Sequence, residues 1–234
     1  SETLDEATGL WRSLEVVDFD DDGDLDILLG NLGENNMLSI SPESPLIIST
    51  RDLDKNGSVD PLMFNSQQNK NGEWDMFPVQ FWDNLTQQSP LFRKEFNSYH
   101  AFSKANMNHY QEKGYLIKDS LLLAKHDTSK WLENLGSEIF KLNTLPDPLQ
   151  LGPINDFLVL ESGNDHSVFV IGNDFGGPPF EGNFDAFQGT IIKWNSMGDK
   201  KVIDAQDSGF SVFGDDREIS SILMQNGKTL ILVT

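Results

Sequence analysis

Residues 18–26 read DFDDDGDLD, and six of these nine side chains are carboxylates: Asp18, Asp20, Asp21, Asp22, Asp24 and Asp26. Carboxylates packed this closely repel one another, and an isolated acidic loop would be expanded or disordered. This loop is bracketed by Val16-Val17 on one side and by Leu25 and Ile27-Leu28-Leu29 on the other, so apolar chain anchors both ends. A hard divalent cation resolves the conflict. Calcium takes six to eight oxygen ligands at roughly 2.3–2.6 Å in irregular geometry, which alternate aspartates on a tight loop can supply.

The pattern recurs 34 residues later, as DLDKNGSVD at 52–60. Alignment superposes Asp18 on Asp52, Asp20 on Asp54, Asp22 on Asn56, Gly23 on Gly57 and Asp26 on Asp60. Candidate side-chain ligands thus fall at loop positions 1, 3, 5 and 9, with glycine at position 6 to permit a sharp turn. Position 7, Asp24 or Ser58, is expected to offer its backbone carbonyl. An EF-hand needs a carboxylate at position 12, where this chain has Leu29 and Met63, and the flanks read as strands. Magnesium demands stricter octahedral geometry and keeps its waters. The bland alternative is a pair of solvated acidic turns, which two aligned copies make harder to sustain. The expectation is two calcium sites.

With 17 basic against 37 acidic residues the net charge is −20. Nucleic acid and anionic membranes want a basic face, so both are disfavoured as partners. There is no cysteine, which removes disulfides, thiolate nucleophiles and cysteine-based zinc sites. His100, His109, His126 and His166 show no metal-ligand spacing, and no nucleophile-elbow or phosphate-loop motif is present. No apolar run is long enough to cross a membrane as a helix. A 38% hydrophobic content supports a core. The chain starts at Ser1, and it is read as a mature or excised piece of a longer protein.

The elements that must hold these loops are mainly strands. Leu14–Val17 and Leu25–Gly30 flank the first loop, and Leu46–Thr50 and Pro61–Phe64 flank the second, with Met37–Ile40 continuing the sheet. A short strand is expected at Met76–Trp82. Ser89-Pro90 reads as an N-cap followed by Pro at the first helical position. A helix to about Asn106 would carry Phe92, Phe96, Tyr99 and Phe102 on one face, within a helical insertion around residues 86–113. Strands then follow at 120–124, 131–135, 139–145, 154–160, 168–172, 190–194, 218–224 and 229–234. The hairpin loop at 161–167 lacks alternating aspartates and reads as a copy whose metal site is lost.

DxDx(D/N)GxxD between two strands, followed by an apolar strand ending in Gly30-Asn31, resembles the FG-GAP/VCBS-type repeat. More widely, the chain is similar to the C-terminal part of large repeat proteins of Bacteroidetes-type bacteria with ASPIC/UnbV-like regions. That similarity rests on Gly9-Leu10-Trp11, Asp54-Lys55-Asn56-Gly57-Ser58, Gln88-Ser89-Pro90-Leu91, Glu133-Asn134-Leu135-Gly136 and Gly172-Asn173. The resemblance implies a mainly β fold: an integrin α-like β-propeller, or a sector of one, with a helical insertion. It would form a single domain over 1–234, with calcium-loop blades at 13–64 and further blades at 115–234. It also implies an exported location, extracellular, outer-membrane-associated or periplasmic, and brings no catalytic residues. Open sheet edges in a sector favour self-association.

The leading expectation for function is a calcium-stabilised, non-catalytic module at the cell surface that recognises a glycan or a protein. Phe175, Phe180, Phe184 and Phe187, in the Gly/Pro-rich segment 172–189, would either stack on a ligand or plug the core beneath a long loop. The competing reading is a hydrolase or lyase acting on polysaccharide through paired carboxylates.

Overall fold

The computed structural model describes residues 6–162, 165–177, 182–195 and 200–234. Strand β1 (Ser13–Val17) runs into the first acidic loop and returns as β2 (Asp26–Gly30), with Val17 opposite Asp26 and Ser13 opposite Gly30. The next strand of that sheet is distant in sequence. Ile27 and Leu28 of β2 pair with Leu132 and Trp131 of β7 (Lys130–Asn134), and β8 (Phe140–Thr144) completes the order β1-β2-β7-β8. Being central, β2 is covered on both faces: Leu28 and Leu29 are both buried, as a strand flanked on two sides tends to be.

Between β2 and β7 the chain builds a separate compact unit, Met37–His126, while Ser1–Asn36 and Asp127–Thr234 form the other. The smaller unit holds an open antiparallel sheet, β5-β4-β3-β6, from β3 (Leu46–Ser49), β4 (Leu62–Gln68), β5 (Trp74–Pro78) and β6 (Leu121–Ala124). The larger unit adds β9 (Ile154–Ser162), β10 (Asp165–Gly172), β11 (Thr190–Asn195) and β12 (Lys200–Asp204), an antiparallel meander. It ends in a two-stranded hairpin, β13 (Ile219–Leu223) with β14 (Thr229–Val233). The protein is therefore mainly β, and every sheet among the described residues is open.

Each unit has its own core. In the larger one Phe19, Leu28, Ile154, Val168 and Trp194 pack together. In the smaller one Leu62, Phe64, Leu85, Phe92, Phe96 and Tyr110 do so. Four short helices lie between β5 and β6: α1 (Trp82–Gln88), α2 (Pro90–Glu95), α3 (Tyr99–Phe102) and α4 (Met107–Glu112). Ser89 caps α2 ahead of Pro90 as expected, but the single helix to Asn106 is broken. Phe96 is extended (φ −117°, ψ 119°), and Ser98 starts α3 by accepting the Ala101 N–H. Serine captures backbone donors that would otherwise continue a helix. Phe92 and Phe96 are buried, whereas the break turns Tyr99 outward to 56% exposure.

Three further expectations are revised. Met37–Ile40 is not a strand; the Asn65 side chain clamps this segment instead, accepting the Ser39 N–H and donating to the Ser39 carbonyl. The strand expected at Met76–Trp82 lies at Trp74–Pro78, and Trp82 opens α1. Strand β12 and the single turn α5 (Ala205–Ser208) are not read from sequence, because Lys200-Lys201 hides the strand's alternation.

Candidate metal centres

Both acidic loops close an antiparallel hairpin, the first between β1 and β2 and the second between β3 and β4. They follow the same backbone path. Position 4 is left-handed in each, with φ 65° at Asp21 and 61° at Lys55, and so is the position-6 glycine, with φ 99° at Gly23 and 92° at Gly57. The first carboxylate folds back over the turn in both. Asp18 accepts the Asp22 and Gly23 N–H groups at 3.2 and 3.0 Å, and Asp52 accepts those of Asn56 and Gly57 at 3.1 and 2.8 Å. Position 5 then accepts from position 7: Asp22 from Asp24 at 3.0 Å, and Asn56 from Ser58 at 2.8 Å. These are Asx turns, local contacts that aspartate and asparagine make without help from the rest of the fold.

Two residues fasten each loop to its unit. At position 2, Phe19 is buried in the larger core and Leu53 packs on the smaller one. At position 9, Asp26 and Asp60 are almost wholly buried and accept the N–H of Phe19 and Leu53, at 3.0 and 2.8 Å. Asp26 also accepts the Asn134 N–H from β7 at 2.8 Å. In the second loop Asp54 accepts the Ser89 hydroxyl, at 3.0 Å, from the α1–α2 junction. Neither tertiary partner has a sequence signal.

This geometry brings Asp18, Asp20 and Asp22 together in one loop and Asp52, Asp54 and Asp60 in the other, with one oxygen from each residue within 4.8 Å of the others in its group. Asp24 and Asp26 lie outside the first group, and Asn56 and Ser58 flank the second through their Asx turn. One oxygen of Asp20, a member of the first group, is shut off from solvent without a hydrogen-bond donor, which is where a cation would fit the donor set. Burial raises Asp20 above the ordinary carboxylate range, aided by the Asp26 and Asp22 charges. Burial likewise raises Asp24, together with the charges of Asp22, Asp20 and Asp18. Asp26 is raised by burial against the opposing pull of the Asn134 and Phe19 N–H groups. A bound cation would supply positive charge at the same place.

Among the described residues, the aromatic candidates of segment 172–189 differ in burial. Phe187 is 2% exposed and belongs to the larger core, Phe184 is half-buried beside its backbone bridge to Asp174, and Phe175 is 40% exposed. Phe180 lies outside the described residues. Asp156 on β9 is structural: its carboxylate accepts the N–H of Phe157 and of Ile219 on β13, both at 2.9 Å. Near the first loop, the Lys200 ammonium sits over the Phe19 and Trp131 rings, 4.6 and 4.8 Å from their centroids, an anchor that only β12 makes visible.

Comparison with protein-family models, with curated proteins and with solved structures finds no match for this chain.

Proposed function

We propose that this protein is a calcium-stabilised binding module in which two cations clasp the β1–β2 and β3–β4 hairpins. The observation that carries the reading is the convergence of Asp18, Asp20 and Asp22, and of Asp52, Asp54 and Asp60, on loops of one conformation. A cation there neutralises carboxylates that otherwise repel, and stabilises whichever unit holds it by mass action. Asp18, Asp20, Asp22 and the carbonyl of Asp24 would hold the first ion, with Asp26 behind them. Asp52, Asp54, Asn56, Asp60 and the carbonyl of Ser58 would hold the second. Calcium suits these sets better than magnesium, because the loops offer many oxygens in irregular array.

On this reading the sheets are blades of an FG-GAP/VCBS-type β-propeller or a sector of one, exported from the cell, with a glycan or protein as ligand. Supporting it are three sheets of four antiparallel strands, the usual blade size. The β13–β14 hairpin, with Ile222, Leu223, Leu230 and Leu232 all exposed, is what a strand pair presents when it pairs further with another chain segment or a second copy. The test is calorimetric titration of calcium into protein stripped with EGTA. Two binding events are expected, the first abolished by Asp20→Asn and the second by Asp54→Asn. Absence of binding in the wild type overturns the proposal.

A further inference from the structure

Away from its acidic loop, the smaller unit carries a groove of about 820 Å³, inside the range of about 300–1,000 Å³ typical of small-molecule sites. Strand β5, the β4–β5 turn and helices α1 and α3 line it. Its apolar wall is aromatic: Phe77, Phe81, Trp82, Tyr99 and Phe102. Trp82 and Tyr99 meet edge to face with centroids 4.8 Å apart, and the Tyr99 hydroxyl donates to the Asp83 carboxylate, which fixes a ring that stays largely exposed.

Helix α1, which carries Trp82, is tied down at both ends. Gln80 and Gln88 donate their amides to the Pro61 carbonyl, at 2.9 and 3.1 Å, and Ser89 donates to Asp54. The platform is therefore preorganised, which lowers the entropic cost of binding. The rest of the lining is polar: Gln67, Gln68 and Asn71 carry exposed side-chain amides, and Lys70, His100 and Lys104 add basic groups. An amide offers donors and an acceptor on one flat group, the complement of a hydroxyl pair on adjacent carbons.

Flat apolar faces together with side-chain amides match a molecule with C–H faces and an equatorial belt of hydroxyls. We propose that this groove is a saccharide-binding site, with a short oligosaccharide packed against the Trp82–Tyr99 pair and its hydroxyls bonded to the Gln67, Gln68 and Asn71 amides. A purely apolar ligand would strand the amides without partners. Among the described residues Asp75 is the one acidic member of the lining, and its carboxylate already accepts the Asn106 amide at 2.6 Å. Glycoside cleavage generally uses a carboxylate pair, so the groove binds sugar without breaking it. The proposal rests on the reading of the protein as a binding module, but not on its cations.

The experiment is retention on an array of immobilised tri- to hexasaccharides, spanning neutral hexose and uronic-acid chains, in calcium and again in EGTA. Short peptides on the same array serve as the rival ligand. Expected is binding to at least one saccharide class, weakened about tenfold or more by Tyr99→Ala, with no sugar released. Tyr99 is exposed, so this variant folds; Trp82→Ala, read with its circular dichroism, is the second. If no saccharide is retained, if peptides are retained instead, or if Tyr99→Ala and Trp82→Ala bind like the wild type, the proposal is overturned. Sugar binding lost in Phe175→Ala but kept in Tyr99→Ala also overturns it, while leaving the binding-module reading in place.

Discussion

Replacing Asp20 by asparagine should change stability with opposite sign in the absence and presence of calcium. Asp20 has Asp18 and Asp22 oxygens within 4.8 Å. At that ceiling two unit charges repel by about 0.9 kcal/mol in a water-like dielectric, so two neighbours cost the metal-free protein roughly 2 kcal/mol. Salt screening trims this to about 1–2 kcal/mol. Asparagine keeps the shape and removes the charge, so in EGTA the variant should be the more stable protein. One kcal/mol moves the melting temperature by about 2–4 °C at this chain length. Calcium at a thousandfold excess over its dissociation constant contributes about 4.1 kcal/mol, which a variant lacking a ligand forfeits. The net loss in calcium is then about 2–3 kcal/mol. Scanning calorimetry of both proteins in both buffers reads the crossing directly. A variant less stable than the wild type in both buffers, with a wild type indifferent to EGTA, would show that the loop is an acidic turn and that the clasp reasoning is wrong.

Other consequences follow from the same structure. Asp20, Asp24 and Asp26 titrate above the ordinary carboxylate value of 3.8 when folded, so between that value and their raised ones the native state holds more protons than the unfolded chain. Metal-free protein should accordingly lose stability as pH rises through this window, read as a urea midpoint that falls as these carboxylates ionise. Glu95 behaves oppositely: burial opposes its ionisation, but Lys113, Tyr115 and His109 bonds overcome this and lower it below 4.5. Its stabilisation is present at neutral pH and lost in acid, and Glu95→Gln should cost about 2 kcal/mol by urea denaturation at pH 7, the difference shrinking as pH falls below 4.5. At Gly172 an added Cβ would sit 1.8 Å from the Pro153 carbonyl oxygen. Gly172→Ala should therefore lower the urea midpoint by the equivalent of at least about 1–3 kcal/mol or prevent folding; an unchanged midpoint would contradict the packing described.

The acidic loops were legible in the sequence because their geometry is local. The Asp and Asn side-chain contacts that turn these loops span only two to five residues, and the glycine at position 6 marks the turn in the text itself. The same holds for Ser89-Pro90, where a cap and a preset φ act on adjacent residues. Nothing comparable announces that β2 pairs with β7, that Asn134 holds Asp26, or that Ser89 reaches Asp54. Alternating apolar residues say that a strand has a buried face, but not which strand will lie beside it. Spacing alone made Phe92, Phe96, Tyr99 and Phe102 one helical stripe. A serine able to restart the helix at Ser98 split it, and exposed Tyr99 beside the groove. Likewise a phenylalanine in a glycine-rich loop reads the same whether it meets solvent, as Phe175 does, or fills a core, as Phe187 does. The sequence alone therefore determined the ligand spacing and turn chemistry of two candidate cation loops. Which oxygens converge, what fastens them, and where an open groove remains were decided by contacts between segments far apart in the chain, since burial and pairing depend on neighbours that no local pattern names.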